Sequence, residues 1–361
     1  MALLFIEGFD EFELGAPISQ LQYKWNFTSN GYLSIHDTDA RPEAGKYIRF
    51  DSGHYSDNYV KKLFNPIVEN SKFIFGFSMK INTSSGEGGI WSLINSFESY
   101  FVKLNYSWDS LTTRWRLNAS LRNDSNSTIS TFYSDYFLKD HEWFTIEGKI
   151  EYVETVHDID YGNFEILCNG ESIINETNVE IATMDLKWVH ITSRSGNYTQ
   201  QVDVDDIYIC DGAGTTNNDY LGEIHVRALK PSSDGMTNDF TPVGETENYN
   251  CVNALNIDTD AYVKSNVLDN VELFNFDDLP ITDTEVLGVF ASTDCIKEGF
   301  GYRRVKTVIN NGTTNIIDTN EHTLANGIRR YENKFEINPF TGNPFTISEL
   351  NNMQFGITIS L

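Results

Sequence analysis

Positive charge is scarce in this chain: 26 lysines and arginines stand against 52 aspartates and glutamates, for a formal charge of −26. So acidic a surface repels phosphate backbones, whose binding needs clustered Lys and Arg, and anionic membrane surfaces for the same reason. Nucleic acid and membrane are therefore not expected partners. Cysteine is sparse too. Cys168, Cys210, Cys251 and Cys295 lie far apart with no CxxC pair, which argues against zinc or disulfides and predicts free, mostly buried thiols. No segment approaches the roughly 20 apolar residues needed to span a bilayer. The opening MALLFIEGFDEF has no basic leader and its apolar run stops at Glu7, so no signal peptide is read and folding in a cytoplasm is expected. The Asn-x-Ser/Thr sequons, such as Asn26, Asn105, Asn118, Asn175 and Asn197, are then expected to be accidents of an Asn-rich composition. Heptads, internal repeats and low-complexity tails are missing as well, which excludes a long coiled-coil or collagen-like shaft.

Aromatics are plentiful, with 24 Phe and 18 Tyr, while proline numbers only 8, a mix that suits half-buried strands. The length of 361 residues suggests about two domains. Through the first half, apolar residues alternate. Phe73, Phe75, Phe77, Met79 and Ile81 share one face; Trp115, Leu117, Ala119 and Leu121 oppose Arg114, Arg116, Asn118 and Arg122. Tyr100, Val102, Leu104 and Tyr106 line up in the same way, as do Phe144, Ile146, Ile150 and Tyr152. Period-2 patterns with one polar face predict antiparallel sheets packed face to face. Asn169-Gly170 marks a two-residue hairpin and Asn311-Gly312 a second one. In VDVDDIYIC the inward phase slips at Asp205-Asp206, which predicts a β-bulge. Thr346 to Glu349 read as a capping box for one short helix, with Phe345 and Leu350 as its staple. The expected fold is all-β: an antiparallel jelly-roll sandwich over 1–212, a polar linker over 213–220, and a smaller β-domain with one short helix over 221–361.

Two stretches carry a resemblance. LGEIHVRALKPSSDGMTNDFTPV (221–243) contributes Pro231, Asp234, Gly235, Thr241 and Pro242, and FEINPFTGNPFTISELNNMQFGITI (335–359) contributes Asn338, Pro339, Thr341, Gly342, Phe355 and Gly356. Together they resemble the C-terminal β-domain of a family of tailed-bacteriophage virion proteins. The first half resembles the concanavalin A-like jelly roll of laminin-G/pentraxin type. These likenesses imply a non-catalytic virion structural protein that decorates or forms part of a capsid, tail or fibre, localised to the virion. They imply virion proteins as partners, and a homo-oligomer is expected because assembly buries sheet edges. The alternative is a carbohydrate-binding module that attaches the particle to host glycans.

Chemistry is weighed against that picture. Retaining laminarinase-type glycosidases on this fold carry Glu-x-Asp-x-x-Glu on one strand, and no such motif occurs, so no catalytic residue is assigned. Asp203, Asp205 and Asp211 are candidate Ca²⁺ ligands, against the alternative of a solvated sheet face; no other cofactor is expected. His141 and His190 stand alone beside tryptophans and read as structural or surface residues. Trp25, Trp91, Trp108 and Tyr198 fall in or near predicted loops and are the candidates for stacking a sugar, against core or contact roles.

Overall fold

The structure is a computed structural model that describes residues 2–15, 18–22, 24–28, 32–38, 45–52, 58–83, 85–195, 200–254, 257–280 and 285–361. Two compact units divide it, Met1–Arg227 and Ala228–Leu361. In the first unit the strands are β1 (Leu3–Glu7), β2 (Phe27–Thr28), β3 (Tyr32–His36), β4 (Tyr47–Ser52), β5 (Asn58–Glu69), β6 (Lys72–Ile81), β7 (Glu87–Ile94) and β8 (Tyr100–Asp109). They continue as β9 (Arg114–Arg122), β10 (Thr128–Leu138), β11 (Trp143–Val156), β12 (Ile159–Cys168), β13 (Glu171–Ile181), β14 (Asp185–Ser195) and β15 (Gln200–Cys210). A single helical turn, α1 (Ile18–Leu21), joins β1 to β2.

These strands form an antiparallel jelly-roll sandwich. One sheet of eight strands runs β13-β12-β11-β6-β15-β4-β3, with β1 added on β15, and the other of seven runs β10-β9-β8-β7-β14-β5-β2. The alternation explains the packing. Phe73, Phe75, Phe77, Met79 and Ile81 from β6 meet Trp91, Leu93, Val102, Leu104, Leu117 and Ile191 from the opposing sheet, all of them buried. At the centre the Trp91 indole stacks on Phe77 at 4.8 Å and on Phe75 at 5.5 Å. The Asn169-Gly170 turn has both residues at positive φ, 49° and 79°, as a two-residue hairpin with right-handed strands requires. The phase slip in β15 is also present: its register on β6 shifts between Asp205 and Tyr208, with Asp206 at φ 48°.

The outer face of the eight-stranded sheet is covered by the chain itself. Residues 221–226 form no strand; they lie against β11 and β15. The buried Glu147 carboxylate accepts hydrogen bonds from the Tyr208 hydroxyl and from Gly222 N at 2.8 Å, and Asp206 accepts from Val226 N at 2.7 Å. Tyr220 donates to Glu165 at 3.1 Å while the Lys149 ammonium sits 4.5 Å from its ring. Gly76 leaves room for this layer, since a Cβ there would collide with the Tyr208 ring.

The second unit has strands β16 (Pro231–Asn238), β17 (Thr241–Val243), β18 (Tyr262–Lys264), β19 (Val271–Phe276), β20 (Val289–Cys295), β21 (Arg304–Asn310), β22 (Asn315–Thr323), β23 (Arg329–Phe335) and β24 (Gln354–Ser360). They pair as a five-stranded sheet, β16-β19-β24-β21-β22, and two ladders, β17-β18 and β20-β23. The Asn311-Gly312 hairpin is a four-residue loop, because Asn310 pairs with Asn315 and the Asn311 side chain caps the turn through Thr313 N and Thr314 N. Helix α2 (Ile347–Asn351) starts with both arms of the capping box in place: Glu349 N donates to Thr346 Oγ1 at 3.2 Å and Thr346 N to the Glu349 carboxylate at 2.9 Å. The staple residues Phe345 and Leu350 are buried in the same small core as Val286, Ile309, Met353 and Phe355. No described helix is long and apolar enough to cross a membrane.

All six tryptophans lie in the first unit, so their fluorescence reports its unfolding. Replacing the fully buried Trp91 with alanine removes the ring on which Phe75 and Phe77 stack. Urea titration of the full chain is expected to show that unit destabilised by about 3–5 kcal/mol.

Candidate functional site

The outer face of the seven-stranded sheet carries a row of polar and basic side chains. Because Leu93, Val189, Ile191, Val102 and Leu121 point into the core, the pleat turns their neighbours outward. Strand register then aligns one residue from each of six strands. Lys61 on β5 pairs with His190 on β14, His190 with Ser92 on β7, Ser92 with Lys103 on β8, Lys103 with Ser120 on β9, and Ser120 with Thr131 on β10. The row contains two cations, one imidazole, three hydroxyls and no carboxylate. With strands about 4.8 Å apart it is about 24 Å long.

Aromatic rings flank it. Tyr59, two residues before Lys61, meets the His190 ring edge to face at 5.3 Å. Tyr100 lies near-parallel to it at 6.4 Å. The sequence pattern puts Tyr100 on the core face with Val102, but the β7–β8 register shifts between Leu93 and Ile94 and turns its ring to the outer face. Lys61 stands 4.9 Å from the Tyr59 ring, Lys103 5.8 Å and the Arg122 guanidinium 5.5 Å from Tyr100. Further along, Asn105 donates to Asn118 at 3.1 Å and Arg116 lies 4.7 Å from the Tyr133 ring. The carboxylates that alternation puts on this face, Glu87, Asp109 and Asp135, stand toward the β8–β9 hairpin end, away from His190.

His190 is the unusual member. It is 9% exposed, and neither ring nitrogen has a hydrogen-bond partner; the buried Ser92 hydroxyl opposite has none either. Burial pushes its pKa down to about 3, with the Lys61 and Lys103 ammonium groups adding in the same direction. The imidazole is therefore neutral at ordinary pH. A buried polar group left unpaired costs about 1–3 kcal/mol, a cost that structural histidines avoid by pairing. These two groups stand side by side in the register, with Lys61 and Lys103 on the strands to either side.

The residues singled out from sequence lie elsewhere. Asp203 is fully buried and already neutralised: Arg49 donates to both its oxygens at 2.7 and 3.0 Å, Asn82 donates at 2.7 Å, and Lys80 lies 3.3 Å away. Asp205 is buried and accepts from Asp206 N, while Asp211 accepts from Ala213 N in a turn. Among the described residues no group of three or more His, Cys, Asp or Glu is arranged to hold a metal. Trp25 and Trp91 have no exposed surface, Trp25 donating to the buried Glu7, so neither offers a ring to a sugar. Trp108 is half-buried edge-on against Trp115 at 5.3 Å. Tyr198 lies outside the described residues. His141 sits in the turn before β11 with Asn82 as its neighbour at 3.3 Å. A cavity of about 540 Å³ opens near Glu69, Tyr152, Asp160 and Asp185, an acidic lining unlike that of the row.

No family model matches the chain, and no curated protein does. Solved structures are similar over part of it. An endo-β-1,4-glucuronan lyase from the fungus Trichoderma reesei has 12% identity and a TM-score of 0.43, covering 58% of this chain and 95% of that one. The alginate lyase Aly36B has 8% identity and a TM-score of 0.43, covering 57% and 95%. Alginate lyase vAL-1 from a Chlorella virus has 10% identity and a TM-score of 0.37, covering 52% and 93%. These findings overturn the expectation of a virion structural protein together with the laminin-G/pentraxin label. Of the residues that carried the phage likeness, Pro231, Asp234 and Gly235 lie in β16, Thr241 and Pro242 in β17, and Phe355 and Gly356 in β24, while Asn338, Pro339, Thr341 and Gly342 form the turn before α2. Gly342 at φ 72°, Asn338 capping Phe340 N and the box around Thr346 do local work that many unrelated β-domains need. The non-catalytic expectation is corrected with it. It rested on a missing single-strand motif, and residues brought together from several strands leave no such linear signature.

A stability measurement tests the state of His190. The unfolded chain, with histidine near its ordinary 6.5, binds a proton that the folded chain refuses down to about pH 3. Between these values stability therefore rises with pH, by up to about 1.4 kcal/mol per unit from this group. His190→Asn is expected to flatten that part of the acid limb in urea titrations; an unchanged slope would mean that the histidine titrates normally.

Proposed function

We propose that this chain cleaves an acidic, uronate-bearing polysaccharide by β-elimination on the outer face of its seven-stranded sheet. The observation that carries the reading is the Lys61–His190–Ser92–Lys103 row: a neutral, unpartnered imidazole between two cations, on a chain of net charge −26. Elimination needs three things at one uronate. Its carboxylate must be neutralised so that the adjacent C5 proton becomes acidic, a neutral base must remove that proton, and an acid must protonate the departing glycosidic oxygen at C4.

The row supplies each by type. Lys61 and Lys103 meet the carboxylate, His190 takes the C5 proton, and Tyr59 or Tyr100 gives a proton to the leaving oxygen. The C5–H and C4–O bonds break, the electron pair becomes a C4–C5 double bond, and a proton from the imidazolium restores the phenol. No water, metal or oxidant enters the balance. In the free chain both ring nitrogens are covered. Lysine side chains rearrange in picoseconds to nanoseconds, so a carboxylate that draws the two ammonium groups toward itself uncovers the imidazole. The open row, about 24 Å long, suits a chain of several sugars laid across the strands.

The test is incubation of the full chain with glucuronan, alginate and polygalacturonate, followed by ultraviolet absorbance of the unsaturated uronate end. His190→Ala is expected to lower the rate by about 10²–10⁴-fold, the usual worth of a general base, with Lys103→Ala raising KM as well. Tyr59→Phe and Tyr100→Phe identify the acid, since only one should approach the loss seen for His190. Wild-type turnover that survives His190→Ala intact would sink the mechanism.

A further inference from the structure

We propose that the loop joining β20 to β21, residues 296–303, is a second binding element for the same anionic polysaccharide; this rests on the substrate class argued above. The segment Ile296-Lys297-Glu298-Gly299-Phe300-Gly301-Tyr302-Arg303 presents the two most exposed aromatic rings among the described residues. Phe300 is fully exposed and Tyr302 is 78% exposed, with Ile296 at 49% beside them. Large rings normally leave water, and a pair presented at a loop tip marks a contact surface. Gly299 and Gly301, at φ 83° and 102°, hold the backbone in conformations that set the rings apart at the tip.

The loop is fastened. Lys297 N donates to Ala325 O at 2.8 Å and Leu324 N to Arg303 O at 2.9 Å, closing its base. The Lys297 ammonium donates to Gly301 O at 2.6 Å and the Arg303 guanidinium to Tyr302 O at 2.8 Å, so both cations are held beside the aromatic residues. Two cations against one carboxylate, Glu298, reverse the twofold acidic excess of the whole chain. Rings that stack on sugar faces next to cations that meet carboxylates match an acidic polysaccharide. An anionic membrane matches the charge but not the setting. It extends far beyond the Debye length of about 8 Å at physiological salt, so it would meet the acidic remainder, whereas a single polymer strand can touch the loop alone.

Electrophoresis of the full chain through gels containing alginate or glucuronan tests this, using Phe300→Ala/Tyr302→Ala and, separately, Lys103→Ala. The expected result is at least about a fivefold weaker retardation of the loop variant, the scale of losing an aromatic anchor, with turnover of a uronate trisaccharide unchanged. A loop variant retarded as strongly as wild type, while Lys103→Ala is released, overturns the loop and leaves the sheet-face reading standing. Release of the loop variant with Lys103→Ala retarded normally overturns the sheet-face reading and keeps the loop. Sedimentation with phosphatidylserine-containing vesicles that is lost in the loop variant, without any loss of polymer binding, assigns the rings to a membrane and overturns the proposal.

Discussion

Everything on the candidate face follows from the burial of one layer of side chains between two sheets. Trp91, Leu93, Val189, Ile191, Val102 and Leu104 are each fully buried against β6 and its neighbours. A strand has a period of two, so a register slip of one residue would send this whole set into water. At about 25 cal/mol per Å² of apolar surface, such a slip is far more costly than any single polar contact on the outside. The outward direction of Ser92, His190 and Lys103 is therefore imposed by their neighbours. The core holds the site in register, although it contributes no atom to it.

Charge placement adds the second constraint. The chain carries twice as many acidic as basic residues, yet the central row holds lysines and no carboxylate. Two ammonium groups near a buried imidazole disfavour its protonated form, as burial does on its own account. On the reading proposed above, these lysines hold the free imidazole neutral, and a carboxylate bound between them would offset their charge and raise its basicity. Removing either lysine would loosen both properties together. The acidic surroundings add contrast, because a polyanion repelled elsewhere on the chain meets attraction only where cations are grouped.

Fold class was legible in the sequence because alternation, the Asn169-Gly170 turn and the Thr346 capping box are local signals, each readable over a few residues. The slip at Asp205-Asp206 was readable for the same reason, as two apolar pairs out of phase on one strand. The candidate site was not. Its members at 61, 92, 103 and 190 come from four strands whose pairing is set by long-range contacts, so nothing in their spacing ties them together. His190 looked no different from His141, since neither stands in a motif. What separates them is pairing: a lysine and a serine flank His190 across the ladder, while His141 occupies a turn. Tyr100 was assigned to the wrong face because a register shift in the β7–β8 pairing leaves no mark in the sequence of β8. The tryptophans drew attention as sugar platforms because indoles can serve in cores and at surfaces alike, and in Trp25 and Trp91 the core claimed them.

A sandwich has two outer faces, and within the described residues of this unit they are used differently. Along the eight-stranded sheet, Gly76 provides flat ground, since a Cβ there would strike the Tyr208 ring. Tyr208, Glu147 and Asp206 then fasten residues 221–226 over the surface through partly buried hydrogen bonds. Gly8 fits beneath Val226 only because it lacks a side chain. These are charge-assisted contacts shielded from water, each stronger than its exposed counterpart. Peeling the segment away would expose Glu147 and Asp206 at once without their partners. Among the described residues no segment is hydrogen-bonded over the Lys61–His190–Ser92–Lys103 row in that way, and the buried His190 and Ser92 there are left unpaired. One face uses its polar groups to hold the chain, and the other does not.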